Sequence, residues 1–194
     1  EGIRVQQLPS NNATIDPRQS VLGSGAKDAL YICGEAGWLY NRVRSFLNAT
    51  HNGSIVRSFA CAVAQELQVY QKFVITNFSE SQTTLREILV AIQRPVQRLK
   101  LLAILASTDL TGPDLLDFLH RHATSNYGGF VDMIHRLLEA AARPWFQLIQ
   151  QWTLEGILTD PAVEFFVQES SSKSEAATTR NNLWRDAYQV DRGK

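Results

Sequence analysis

The stretch from residue 127 to residue 167 constrains the fold of this chain more than any other part of the sequence. Apolar residues recur in it at steps of three and four, the spacing of one helix face: Met133, Leu137, Leu138, Ala141, Trp145, Leu148, Ile149 and Trp152. Pro144 lacks a backbone donor, so we expect a kink near residues 142 and 143. Gly156 predicts a left-handed C-terminal cap, Asp160-Pro161 a turn, and residues 164–167 (EFFV) an apolar segment that folds back over the helix end.

Four earlier segments also have helical spacing. Residues 26–48 carry an apolar stripe, which we predict to be Leu30, Cys33, Gly37, Tyr40, Val43 and Leu47. A second helix is predicted from Ser54, as N-cap, to about residue 77. Thr84 and Glu87 predict a capping box at the start of a third helix, which Pro95 should kink. A fourth, shorter helix is predicted from residues 111–113 (TGP) to before residue 125.

These segments predict an all-α fold of antiparallel helical bundles with kinked long helices. We expect an extended lead-in over residues 1–24 and a helical domain over residues 25–167. The polar, serine-rich residues 168–181 predict a mobile linker, and residues 182–194 a short apolar docking segment with a tail.

Charge and hydropathy exclude several classes of protein. The chain has 19 basic and 19 acidic residues, so no net charge draws it to nucleic acid or to an acidic membrane, and we expect neither as a partner. The sequence contains no run of about 18 apolar residues, so we predict no membrane-spanning helix. The first residues lack the pattern of a signal peptide, so we expect an intracellular protein or a fragment that has lost its start.

The cysteines and asparagines have simple interpretations. Cys33 and Cys61 lie on apolar helical patterns, so we predict that both are core residues rather than disulfide partners or nucleophiles. Four Asn-x-Ser/Thr triplets begin at Asn12, Asn48, Asn52 and Asn77. Most of them fall at predicted helix ends and loops, where such residues serve as caps, so we favour that role over glycosylation.

Few residues suggest chemistry. His120 and His122 are two positions apart and would point to different faces of a helix, with no third ligand at a suitable spacing, so we predict no metal site. No nucleophile elbow and no phosphate-binding glycine loop occurs, so we predict neither a cofactor nor catalysis. Arg86, Arg94 and Arg98 make the third helix basic, which we interpret as a candidate surface for a protein partner.

Several motifs in order resemble the N-terminal grip region of the gamma-tubulin complex components. They are Gly37-Trp38-Leu39-Tyr40, then Phe59, Ala62, Glu66, Leu67 and Tyr70, then Thr84-Leu85-Arg86, Leu101-Leu102-Ala103, Arg143-Pro144-Trp145-Phe146, Glu164-Phe165-Phe166-Val167 and finally Leu183-Trp184 with Tyr188. The resemblance covers residues 3–190 and is greatest to component three.

The resemblance implies a structural component of a complex that arrays gamma-tubulin for microtubule nucleation. It implies lateral contacts between this region and paralogous components, and binding of gamma-tubulin by a C-terminal domain outside this chain. It also implies a place in the cytoplasm and cytoskeleton, at a microtubule-organising centre such as a spindle pole or centrosome. The alternative is a helical regulatory or protein-binding domain unrelated to microtubules.

Overall fold

A computed structural model describes residues 24–78, 84–124, 129–169 and 188–190. These residues form five helices and one short two-stranded sheet. The helices are α1 (Ser24–Asn48), α2 (Ser54–Phe78), α3 (Leu85–Leu105), α4 (Gly112–Thr124) and α5 (Val131–Glu155). Strands β1 (Val167–Glu169) and β2 (Tyr188–Val190) pair antiparallel, with Val167 opposite Val190. The all-α prediction is confirmed.

The predicted helix signals lie where the helices begin and end. At the start of α3, the backbone N–H of Glu87 donates to the Thr84 hydroxyl at 3.4 Å, and the N–H of Thr84 donates to the Glu87 carboxylate at 2.9 Å. This is the predicted capping box. At the end of α5, Gly156 adopts a left-handed conformation with φ 65°, as predicted. Both α3 and α5 continue through their internal prolines.

The main core lies among all five helices, with α2 at its centre. Helix α2 packs against each of the other four helices and most extensively against α5. Phe59 of α2, Leu99 of α3, Leu119 of α4 and Leu137 of α5 are almost completely buried in this core. The start of α2 bonds to residue 164, beyond the end of α5, whereas Glu66 further along α2 bonds to Arg136 near the start of α5. Helices α2 and α5 are therefore antiparallel.

A smaller apolar cluster covers the C-terminal half of α5. Leu148, Phe165 and Val167 are buried in it, and Trp152 is partly buried at its edge. The ring centroids of Trp152 and Tyr188 are 4.7 Å apart in an edge-to-face arrangement. The predicted fold-back of residues 164–167 over the helix end is confirmed. Tyr188 belongs to the predicted docking segment, of which residues 188–190 form β2 and the rest lie outside the described part of the chain.

The buried stripe of α1 differs from the predicted one by about one residue. The buried positions of this helix are Ala29, Ala36, Leu39 and Val43. Leu30 is 46% exposed and Gly37 is also exposed, so the prediction was wrong at these two positions. Two of the buried residues are alanines, whose small apolar surface gives a weak pattern in sequence, whereas the larger Leu30 dominates the periodicity.

Two further predictions need correction. Cys61 is exposed on α2 and Cys33 is only partly buried, so neither belongs to the buried core. The neighbouring Ala62 and Val63 occupy the core face of α2 instead, because adjacent helical residues point about 100° apart. Residues 168 and 169, the first two of the predicted linker, lie in β1. The rest of that linker and residues 1–23 of the predicted lead-in lie outside the described residues.

Candidate partner interface

A partly buried carboxylate on α2 joins three helices. The side chain of Glu66 is only 10% exposed. Its Oε2 accepts a hydrogen bond from Arg98 Nη2 of α3 at 2.9 Å. Its Oε1 accepts two from Arg136 of α5, at 2.7 Å from Nη2 and 3.0 Å from Nε. We call this set, Glu66 with Arg98 and Arg136, the Glu66 junction.

The junction lies where the apolar stripes of the helices meet solvent. Glu66 is adjacent to buried Leu67, and Arg98 is adjacent to buried Leu99, so both side chains emerge at the edge of the core. Because Glu66 has lost most of its contact with water, its charge depends on the two guanidinium groups for compensation. The guanidinium side chains themselves remain 37% and 55% exposed for Arg98 and Arg136. The junction therefore presents positive charge outward.

The three arginines predicted as an interface do not form one group. Arg94 lies one turn before Arg98, and its Nη2 is 3.7 Å from where a β-carbon on Gly129, just before α5, would lie. Arg94 therefore lies one helical turn from the Glu66 junction, with its guanidinium beside the segment that precedes α5. Arg86 is exposed two turns earlier, in the first turn of α3. Arg136 was not singled out from the sequence, because the link between residues 66 and 136 is a contact between distant positions with no local pattern.

A fully buried carboxylate holds the fold-back segment to the start of α2. Glu164 is 4% exposed and accepts hydrogen bonds from the backbone N–H groups of Ser54 at 2.8 Å and Ile55 at 3.3 Å, and also from the Ser54 hydroxyl. A carboxylate at a helix N-terminus satisfies unpaired N–H groups and interacts favourably with the helix dipole. Helix α2 begins at Ser54, near the predicted start, but the Ser54 hydroxyl bonds to Glu164, so the carboxylate and not the serine side chain caps this helix. Ser54 is also the third residue of the Asn-x-Ser triplet that begins at Asn52, so the hydroxyl of that triplet is hydrogen-bonded to Glu164.

Glycine is required beside this carboxylate. Gly53 has φ 110°, a conformation that favours glycine. A β-carbon built on Gly53 would lie 2.5 Å from Glu164 Oε1, well inside contact distance. The close approach of the carboxylate to the backbone therefore depends on the absence of a side chain at residue 53.

A shallow groove of about 400 Å³ lies between α1 and α3. Ile32 and Val96 form part of its apolar lining, and Val90 at its rim is 71% exposed. Lys100 Nζ lies 2.9 Å from Glu35 Oε1 across the groove. This ion pair joins α1 to α3 and neutralises the one lysine of the basic helix, so the positive charge of α3 is carried by its arginines.

The two histidines of α4 have different surroundings. His122 Nδ1 lies 2.8 Å from the carbonyl oxygen of Phe118 in the same helix, and His120 is exposed. Within the described ranges, no group of three or more His, Cys, Asp or Glu side chains is placed to hold a metal ion. None of the helices in those ranges is both long and apolar enough to cross a bilayer.

The Tyr70 hydroxyl of α2 has a raised pKa. Its burial is the main cause, and the nearby Cys33 raises the pKa by a smaller amount.

Comparison with known protein families decides the relationship of the chain. A family model described as "Gamma tubulin complex component N-terminal" matches residues 3–194. The chain belongs to this family. The motifs that suggested the resemblance include Glu66 and Glu164, the two carboxylates that join helices in the fold.

The likeness is greatest to component 3. The chain is 27% identical over 180 residues to gamma-tubulin complex component 3 of Arabidopsis thaliana, covering 80% of this chain and 21% of that protein. It is 26% identical over 187 residues to component 3 of Homo sapiens, covering 86% and 20%. It is also similar to component 2 of Mus musculus, with 25% identity over 169 residues, covering 82% and 18%. The chain spans about a fifth of the length of these relatives.

Proposed function

We propose that this chain is a structural part of a gamma-tubulin complex that templates microtubule nucleation, and that it makes side-by-side contacts with neighbouring components. The observation that carries the proposal is the family match over residues 3–194. Similarity to both component 3 and component 2 relatives supports paralogous components as partners. A helical bundle with charged and apolar outer faces is suited to such contacts.

The proposal assigns different roles to this segment and to a region C-terminal to it. This segment pairs with other components and catalyses nothing, while gamma-tubulin is bound by a region C-terminal to it in the assembled protein. The protein acts in the cytoplasm and cytoskeleton, at a microtubule-organising centre such as a spindle pole or centrosome. The family to which the chain belongs supports this, because its description refers to a gamma-tubulin complex.

Co-purification tests the proposal. The chain is expressed with an affinity tag together with gamma-tubulin and a component 2 paralogue from the same organism, and the same experiment is made with a longer version that includes the C-terminal region. We expect the short chain to recover the paralogue without gamma-tubulin, and the longer version to recover both. Capture of gamma-tubulin by the short chain alone, or failure of both versions to recover the paralogue, would contradict the proposal.

A further inference from the structure

Three arginines from two helices form one cationic surface around the Glu66 junction. Arg94 and Arg98 are one turn apart on α3, a spacing that places side chains on neighbouring positions of the helix surface. Arg98 and Arg136 share the carboxylate of Glu66. Three guanidinium groups and one carboxylate sum to plus two, before the exposed acidic residues that flank Arg136 on α5 are counted. We call Arg94, Arg98 and Arg136 the arginine surface.

Glu66 holds two of these arginines in fixed positions. A free arginine side chain loses rotamer freedom when it binds a partner, and this loss opposes association. Arg98 and Arg136 have already lost much of that freedom in their bonds to Glu66. A guanidinium has five N–H donors, so donors remain on both groups after these bonds. The arginine surface is therefore prepared to bind carboxylates at a low entropic cost.

We infer that the arginine surface binds an acidic helix face, rich in Asp and Glu, on the neighbouring component. This inference rests on the proposed side-by-side pairing and assigns it a position on α3 and the start of α5. Guanidinium groups bind carboxylates through paired hydrogen bonds, which favours acidic side chains at fixed spacing. Asp132 and Glu139 flank Arg136 along α5, so the acidic partner lies on the α3 side of Arg136.

The first part of the basic helix α3 lies outside the arginine surface. Arg86 lies eight residues before Arg94, about 12 Å away along the helix axis at 1.5 Å per residue. It is therefore outside the arginine surface, although it has the same charge and is also exposed. Arg98 and Arg136 are unsuitable as test positions, because a carboxylate in place of either would face Glu66 and destabilise the fold.

Charge reversal at Arg94, with Arg86 as a matched control, tests the inference. Arg94→Glu and Arg86→Glu make the same change on the same helix, and circular dichroism should show that both variants keep the helicity of the wild-type chain. Affinity for the N-terminal segment of a component 2 paralogue is measured by isothermal titration calorimetry at low and high salt. We expect Arg94→Glu to weaken binding at least about tenfold at low salt and Arg86→Glu less than about twofold.

The outcomes separate this inference from the proposed function. If the wild-type chain binds the paralogue and the two variants bind it equally well, the arginine surface is not the contact and only this inference fails. If the wild-type chain binds no paralogue, the proposed function fails and this inference with it. If Arg94→Glu leaves pairing unchanged but abolishes binding to a double-stranded RNA probe, the surface binds phosphate and the inference is wrong.

Discussion

At the scale of single residues, the contact between Gly53 and Glu164 connects the start of α2 to the segment after α5. The carboxylate of Glu164 reaches the start of α2 across 110 positions of sequence. It can do so because Gly53 has no β-carbon in its way and adopts a φ of 110°. The fold-back after α5 is therefore fixed by polar contacts at Glu164 as well as by burial of Phe165 and Val167.

Alanine at residue 53 should destabilise the chain. The substitution Gly53→Ala adds a methyl group 2.5 Å from Glu164 Oε1 at a positive φ, so we expect the free energy of unfolding to fall by about 1–3 kcal/mol. Gly34→Ala is the control, because residue 34 is inside α1 with no atom within 4 Å of an added β-carbon. It should raise the free energy of unfolding by about 0.5–1 kcal/mol.

Urea denaturation followed by circular dichroism measures both changes. Equal free energies of unfolding for the wild-type chain and Gly53→Ala would mean that Glu164 does not approach the backbone of residue 53 as described.

The sequence predicted one half of this contact. Ser54 stood out as a residue that starts a helix, because serine before an apolar periodic segment is a strong local signal. Glu164 was predicted only as part of an apolar segment. A buried carboxylate that bonds to the start of a distant helix has no local pattern, since its partners are determined by the packing of α5 against α2.

At the scale of elements, the capping box of α3 makes a pH-dependent contribution to stability. The backbone N–H of Thr84 lowers the pKa of the Glu87 carboxyl, and the Thr84 hydroxyl lowers it further. A carboxyl with a lowered pKa in the folded state stabilises the fold above its ordinary pKa of about 4.3. That contribution is lost as the pH falls through the lower, folded-state value.

Removal of the hydroxyl should weaken the cap and change this titration. Thr84→Ala keeps the backbone N–H at residue 84, so we expect the pKa of Glu87 to rise only part of the way to its ordinary value. The free energy of unfolding at neutral pH should fall by about 1 kcal/mol. Carboxyl chemical shifts in an NMR titration report the pKa of Glu87, and urea denaturation reports the stability.

Thr153→Ala, an exposed change within α5, is the control and should leave both quantities nearly unchanged. A Glu87 carboxyl that titrates at the same pH in the wild-type chain and in Thr84→Ala would show that the Thr84 hydroxyl does not bond to it.

The elements were largely predictable, because helix signals are local. The capping residues, the glycine after α5 and the apolar periodicity identified the helices in the described part of the chain. The exact face of α1 that is buried was not predictable in the same way. Leu30 and Ala29 both fit a helical period, and only the packing of α1 on α3 and α2 determines which of them is buried.

At the scale of the whole molecule, the Glu66 junction relates the fold to the proposed assembly. Glu66 joins α2, α3 and α5 within the chain, and the two arginines that bond to it remain partly exposed at the surface. The basic character of α3 was visible in the sequence, but the sequence did not show which of its basic residues pair with acidic residues of other helices. Lys100 is paired with Glu35 and Arg98 with Glu66, while Arg136 joins the surface from another helix.

The central claim is that this chain pairs directly with the N-terminal segment of a paralogous component. Sedimentation equilibrium of the two purified segments, alone and in an equimolar mixture, tests it most directly. We predict that the mixture contains a species with the summed mass of one copy of each segment, and that this species dissociates as salt increases, because charged groups form part of the contact. Two folded segments that sediment in the mixture only as they do alone, at low salt and at concentrations of tens of micromolar, would contradict the claim.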